Sequence, residues 1–88
     1  MKTTFKRFFL KSLKKLKDQK LKNAIAESIE QIETSQNLSE VKNLKKLQGF
    51  SNCYRVRIGD HRIGIEVQDD VVCFAAFAHR KDIYGNFP

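Results

Sequence analysis

The strongest constraint on the fold lies between residues 54 and 78, where apolar and polar side chains alternate and two short turn sequences interrupt them. Tyr54, Val56 and Ile58 alternate with Arg55 and Arg57. Ile63, Ile65 and Val67 alternate with Arg62, Gly64 and Glu66, and residues 71–78 are nearly all apolar. Successive side chains of a strand point to opposite faces, so a period of two predicts three strands, each half wet and half dry.

The turns set the register. A two-residue loop at Gly59-Asp60, with glycine first as a type II′ turn prefers, pairs Ile58 with His61. Arg57 then lies opposite Arg62, and Arg55 opposite Gly64. A second such loop at Asp69-Asp70 pairs Val67 with Val72, Glu66 with Cys73 and Ile65 with Phe74. One face of this meander carries Tyr54, Val56, Ile58, Ile63, Ile65, Val67, Val72, Phe74 and Ala76. The other carries Arg55, Arg57, Arg62, Gly64, Glu66, Cys73, Ala75 and Phe77, with Gly64 leaving space beside the arginines. A slip of one residue would drive arginines into the core, which specifies the register strongly.

The dry face needs a cover, and the N-terminal half supplies one. After a short strand expected at residues 2–5, apolar residues recur at Phe5, Phe9, Leu13 and Leu16, with Phe8 and Leu10 beside them. That is helical spacing, and it leaves Lys6, Lys11, Lys14, Lys15 and Lys17 on the wet side. Past the Lys17-Asp18-Gln19 break, Leu21, Ile25, Ile29 and Ile32 form the stripe of a second helix. So short a link predicts an antiparallel hairpin. The second helix should end in the cap-forming run Thr34-Ser35-Gln36-Asn37, and Leu38-Ser39-Glu40-Val41 adds at most one turn. The fold class is therefore α+β: an N-terminal helical hairpin packed on a C-terminal antiparallel β-sheet. Eighty-eight residues suffice for one core, so residues 1–88 are read as a single domain.

Several function classes drop out. No apolar run reaches the roughly 18–20 residues that span a bilayer, and the chain starts with a basic amphipathic segment instead of a signal peptide's apolar stretch. A cytoplasmic protein without membrane contact is expected. Cys53 and Cys73 lack the spacing of metal or redox motifs and lie roughly 9–10 Å apart at two strand spacings, too far for a disulfide. Reduced thiols, no metal and no cofactor are the expectation. A net charge of +7 favours a polyanionic or acidic partner, and residues 1–22 hold nine Lys and Arg against one Asp.

Three guanidiniums on one face suit an anion that planar forks can grip, a phosphodiester above all. The competing reading is a solvated face whose arginines pair with Glu66 and Asp60. The segment Phe77-Ala78-His79-Arg80-Lys81-Asp82-Ile83-Tyr84 brings further polar groups out of the last strand. His79 suits proton transfer near neutral pH, and Tyr84 suits stacking on a base. Each has a plainer reading too, His79 as a structural strand-end residue and Tyr84 as a packing residue.

The run Leu47-Gln48-Gly49-Phe50-Ser51-Asn52-Cys53-Tyr54-Arg55-Val56-Arg57-Ile58-Gly59-Asp60-His61-Arg62, followed by His79-Arg80-Lys81-Asp82-Ile83-Tyr84, resembles the RelE/ParE toxin superfamily. In motif terms the likeness spans about half the chain, and it implies a RelE-like microbial ribonuclease-type fold. On the RelE side it implies a toxin that cuts mRNA in the ribosomal A site, with Arg55, Arg57, Arg62, Arg80 and Tyr84 contributing. In that reaction the RNA 2′-OH attacks the neighbouring phosphate without a metal ion, while cationic donors stabilise the charge gathering on the transition state. Arg55, Arg57 and Arg62 would hold the phosphate, Arg80 would balance the leaving oxygen, and Tyr84 would stack on a base.

This chain departs from the best-known RelE pattern by carrying Arg55 and Arg57 where lysines stand. Arginine cannot accept a proton, so the general base falls to Lys45, Lys46, His79 or Tyr84, with His79 preferred for its pKa near working pH. The lysines Lys11, Lys14, Lys15, Lys45, Lys46 and Lys81 suit rRNA phosphates, although a Lys-rich helix face is equally a soluble exposed surface or a docking surface for an acidic antitoxin segment. The resemblance implies a cognate antitoxin that wraps and neutralises the toxin as a hetero-oligomer, with mRNA on the ribosome as target. Its rivals are a ParE-like inhibitor that binds DNA gyrase without chemistry, and a catalytically inactive RNA- or partner-binding module of the same fold.

Overall fold

The computed structural model describes residues 1–88. Strand β1 (Lys2–Phe5) leads into α1 (Arg7–Lys15) and α2 (Gln19–Thr34), then β2 (Leu44–Lys46), β3 (Cys53–Ile58), β4 (His61–Gln68) and β5 (Val71–His79). Short 3-10 turns occur at Leu38–Glu40 and Ile83–Gly85. No helix is long and apolar enough to cross a membrane.

The three strands expected from the alternation are present, but the sheet has five, in the order β1-β5-β4-β3-β2. β1 pairs with β5 in parallel, making the sheet mixed, and β2 adds an antiparallel edge beside β3. β1 is the short strand expected at residues 2–5, whereas β2, three residues long, is too short to show a period of two. The hairpin register is the expected one, Ile58 opposite His61, Arg57 opposite Arg62 and Arg55 opposite Gly64. Gly59 takes a positive φ of 57°, which glycine adopts without steric cost.

The β4–β5 register also matches as far as Ile65 and Phe74, and then slips. Ile65 faces Phe74 whereas Gly64 faces Ala76, so Ala75 is an extra residue that bulges β5. Beyond the bulge the faces exchange. Phe77, expected among the arginines, pairs with Ile63 and joins the core under the helices. Ala76, expected in that core, pairs with Gly64 on the arginine side. The exchange relieves a physical conflict, since without it a bulky Phe77 would stand beside Arg62.

The helices cover the other face. α1 lies on β5 and α2 on β3. Phe9, Ile25, Ile32, Val56, Ile63, Ile65, Val72, Phe74 and Phe77 are all buried between the layers. Phe9 packs on Phe74 with ring centres 5.5 Å apart, and Phe5 stacks on Phe74 at 5.1 Å. Burying each such side chain stabilises the fold by about 1.5–3 kcal/mol. Asp18 caps α2 by accepting from the Leu21 N–H at 3.1 Å.

A second apolar cluster, not anticipated from the sequence, sits on the arginine side. The chain after β5 turns back across the sheet and buries Ile83 and Phe87 against Leu47, Cys53, Ala75 and Ala76. This tail fills the space expected beside Gly64, because a Cβ there would stand 2.5 Å from the Phe87 ring.

Candidate functional site

The hairpin places Arg55 and Arg57 on β3 and Arg62 on β4, all on the face away from the helices. Their side chains, with Lys45 of β2, Asn43 and Leu44, line a hollow of about 300 Å³. Lys45 enters because it pairs directly with Arg55 and so shares its face. Asn43 also lines the hollow, and no motif in the sequence signals it. Its φ of 62° lies in the left-handed region that asparagine tolerates, and its carbonyl accepts from the Arg57 N–H at 3.0 Å.

The charge in this hollow is uncompensated. Lys6 and Glu66 form the one ion pair of the protein, at 2.7 Å, which leaves Glu66 unavailable to the arginines and removes one support of the solvated-face reading. That hydrogen bond to Glu66 raises the Lys6 pKa above its ordinary value. Arg62 is held by backbone instead of carboxylate: its Nη1 donates to the carbonyls of His61 at 2.8 Å and Gly59 at 2.9 Å. Partial burial, followed by repulsion from Arg55, Arg57 and Arg80, lowers the Arg62 pKa, with only Asp60 opposing. A cationic site whose members repel one another gains free energy when an anion enters.

The chain after β5 passes beside the hollow. Arg80 donates its backbone N–H to the Asp60 carbonyl at 2.8 Å, and its side-chain charge acts on Arg62. Tyr84 is 61% exposed, and the Arg55 guanidinium lies 5.5 Å from the centre of its ring, a cation–π contact. Lys81 is exposed in the turn between them.

The remaining candidates lie elsewhere. His79 pairs with His61, two positions along from the Ile63–Phe77 pair, and therefore faces the helical side of the sheet. Its ring meets His61 edge-on at 5.3 Å, and its Nδ1 accepts from the Lys81 N–H at 3.1 Å. That orientation separates it from the arginine hollow. Lys46 pairs with Tyr54 and so points away from Arg55. Lys11, Lys14 and Lys15 are exposed on α1, across the sheet from the arginines. Of the four groups considered as proton acceptor, Lys45 and Tyr84 share the hollow's face or edge.

The chain is similar in sequence and architecture to known toxins. The model of the family described as the ParE toxin of the type II toxin–antitoxin system, parDE, matches residues 4–84. The chain is 40% identical over 89 residues to Toxin RelE3 of Methanocaldococcus jannaschii, with all of both chains covered. The RelE fold seen in the crystal structure of the RelB–RelE antitoxin–toxin complex from Methanococcus jannaschii superimposes with a TM-score of 0.80, at 38% identity, covering 97% of this chain and 99% of that one. The RelE–RelB complex from Pyrococcus horikoshii shares the fold at a TM-score of 0.73 and 23% identity, over 90% and 93% of the two chains. The chain thus belongs to the RelE/ParE family of toxins of type II toxin–antitoxin systems.

Proposed function

We propose that this toxin is an endoribonuclease of the RelE kind, which cuts mRNA on the ribosome and is neutralised by a cognate antitoxin. The observation that carries the reading is the convergence of Arg55, Arg57, Arg62 and Arg80 with no carboxylate paired to any of them, beside Tyr84 on Arg55. In the proposed step the RNA 2′-oxygen forms a bond to the adjacent phosphorus as the bond to the 5′-oxygen breaks. The products are a 2′,3′-cyclic phosphate and a 5′-hydroxyl. Preorganised guanidiniums stabilise the charge that builds on the phosphoryl oxygens, which is where such catalysis gains most. In this scheme Lys45 or Tyr84 accepts the 2′-OH proton, and a water molecule supplies the proton that the leaving 5′-oxygen takes up.

The relatives whose structures contain RelB support an antitoxin partner for this chain as well. A second reading, inhibition of DNA gyrase by binding alone, is kept because the matching family model is that of ParE. Primer extension on a message translated in the presence of the purified protein separates the two. Cuts at A-site codons, lost by orders of magnitude in Arg80→Ala and strongly reduced in Tyr84→Phe, support the nuclease. Intact message with blocked supercoiling supports the gyrase inhibitor, and full cutting by both variants refutes the site assignment.

A further inference from the structure

Tyr84 is the most exposed of the protein's large apolar side chains, yet it sits in a defined place on Arg55. Its own contacts do not explain that placement, because a surface cation–π pair contributes only about 0.5–1 kcal/mol. The residues flanking it do. Ile83 immediately before it and Phe87 three residues after it are both buried, at 2% and 4% exposure, in the apolar cluster on the arginine side. Between them the backbone is tied by the Gly85 N–H to the Asp82 carbonyl at 3.1 Å and the Asn86 N–H to the Ile83 carbonyl at 3.0 Å. Asn86 adds a side-chain bond from Nδ2 to the Asp82 carbonyl at 3.1 Å.

Phe87 lies directly on Gly64, the cross-strand partner of Arg55. The fit leaves no slack: a Cβ built on Gly64 would stand 2.5 Å from Cδ2 and Cγ of the ring and 2.9 Å from Cδ1. Gly64 does not take a positive φ, so backbone conformation does not demand glycine there. The Phe87 ring does. One residue pair thus joins the tail that carries Tyr84 to the strand position opposite Arg55.

We propose that Phe87, seated on Gly64, is a positioning residue that clasps the tail to the sheet and holds the Tyr84 ring on Arg55. The catalytic consequence rests on the nuclease reading, while the positioning of Tyr84 does not. Phe87 touches no substrate in this scheme. It acts by keeping the aromatic ring and the phosphate-binding guanidinium in one geometry, and a misplacement near 1 Å can lower a rate by on the order of a hundredfold.

The protein has two tyrosines and no tryptophan, so in a Tyr54→Phe background Tyr84 is the only fluorophore of its kind. Tyr54 lies on the helical side of the sheet. In this background, Phe87→Ala and Gly64→Ala should each lower the anisotropy of Tyr84 emission. Each should also reduce single-turnover cleavage at saturating ribosomes by roughly tenfold to a hundredfold, with half-saturation little changed. Phe87→Leu, which keeps a bulky apolar group, should recover part of both signals and takes the place of Phe87→Ala should that variant fail to fold.

The decisive arm is the double variant. With the ring removed, the three atoms nearest the added methyl at position 64 are gone, so Gly64→Ala/Phe87→Ala should be no worse than either single change, as two residues acting through one contact require. Unaltered Tyr84 anisotropy in both single variants, or losses that multiply in the double, would overturn the clasp. If the parent cuts no RNA, the nuclease reading falls, and the anisotropy cycle still decides the role of Phe87.

Discussion

Arg57 and Arg62 stand directly opposite each other across the β3–β4 hairpin, two like charges at one register position with Arg55 beside them. Like charges so placed destabilise a sheet by about 0.2–1 kcal/mol. A protein selected only for stability would not keep them. Arg57→Gln should therefore raise the free energy of unfolding by about 0.5 kcal/mol in urea titrations, while weakening RNA binding and its salt dependence. A variant that binds RNA as well as the parent would remove Arg57 from the phosphate site.

The thiols should differ in reactivity. Cys53 is buried on the arginine side, whereas Cys73 is partly open beside Glu66. Burial, reinforced by Glu66, raises the Cys53 pKa above its ordinary 9.0. The folded state thus holds the Cys53 proton more tightly than the unfolded chain does. Its contribution is complete below pH 9.0 and is lost as the pH rises through the folded value. Cys53→Ala should flatten the fall in stability above that pH. In the folded parent, iodoacetamide should label Cys73 rapidly and Cys53 only at the rate of opening, and equal labelling rates would contradict the burial.

The second hairpin turn carries strain that function does not need. Asp69 and Asp70 have φ of 51° and 65°, the left-handed pair of a type I′ turn, which favours Asn-Gly. Asp70→Gly relieves the steric term at the cost of a freer unfolded chain. We expect a net gain of about 0.5 kcal/mol, and for Asp70→Ala a loss of about 1 kcal/mol. Thermal unfolding of the two variants checks the signs. RNA cleavage should be the same in both, since the Arg57–Arg62 pair sits at the opposite end of β4 from this turn.

The contrast between the two hairpins explains how much of this protein is legible in its sequence. Register at Arg55, Arg57 and Arg62 follows from the Gly59-Asp60 turn and an alternation that tolerates no slip. The arginine cluster could therefore be assembled from residue order alone. The bulge at Ala75 could not, because residues 71–78 are apolar on both faces and carry no alternation to betray an extra residue. That single residue decided the sides taken by Ala76, Phe77 and His79. The second core was hidden for another reason: Ile83 and Phe87 are isolated apolar residues in a polar stretch, and their partners Leu47 and Cys53 come from a loop and a strand start far away in sequence.

The sheet divides the basic charge into two populations with separable effects. Lys11, Lys14 and Lys15 project from α1, while the guanidiniums occupy the opposite face. A phosphate in the arginine hollow is therefore out of reach of the helix lysines, which can act only on a second stretch of polyanion, as rRNA would offer. Each phosphate neutralised contributes about 0.7–0.9 to the slope of log affinity against log salt. If all three lysines contact phosphate, Lys11→Gln/Lys14→Gln/Lys15→Gln should lower the slope for ribosome binding by about 2 to 3, from the same relation. The slope for a short single-stranded RNA that fills only the hollow should be retained. Were both slopes to fall together, one continuous RNA path would have to wrap the edge of the sheet, and the lysines and arginines would form a single site.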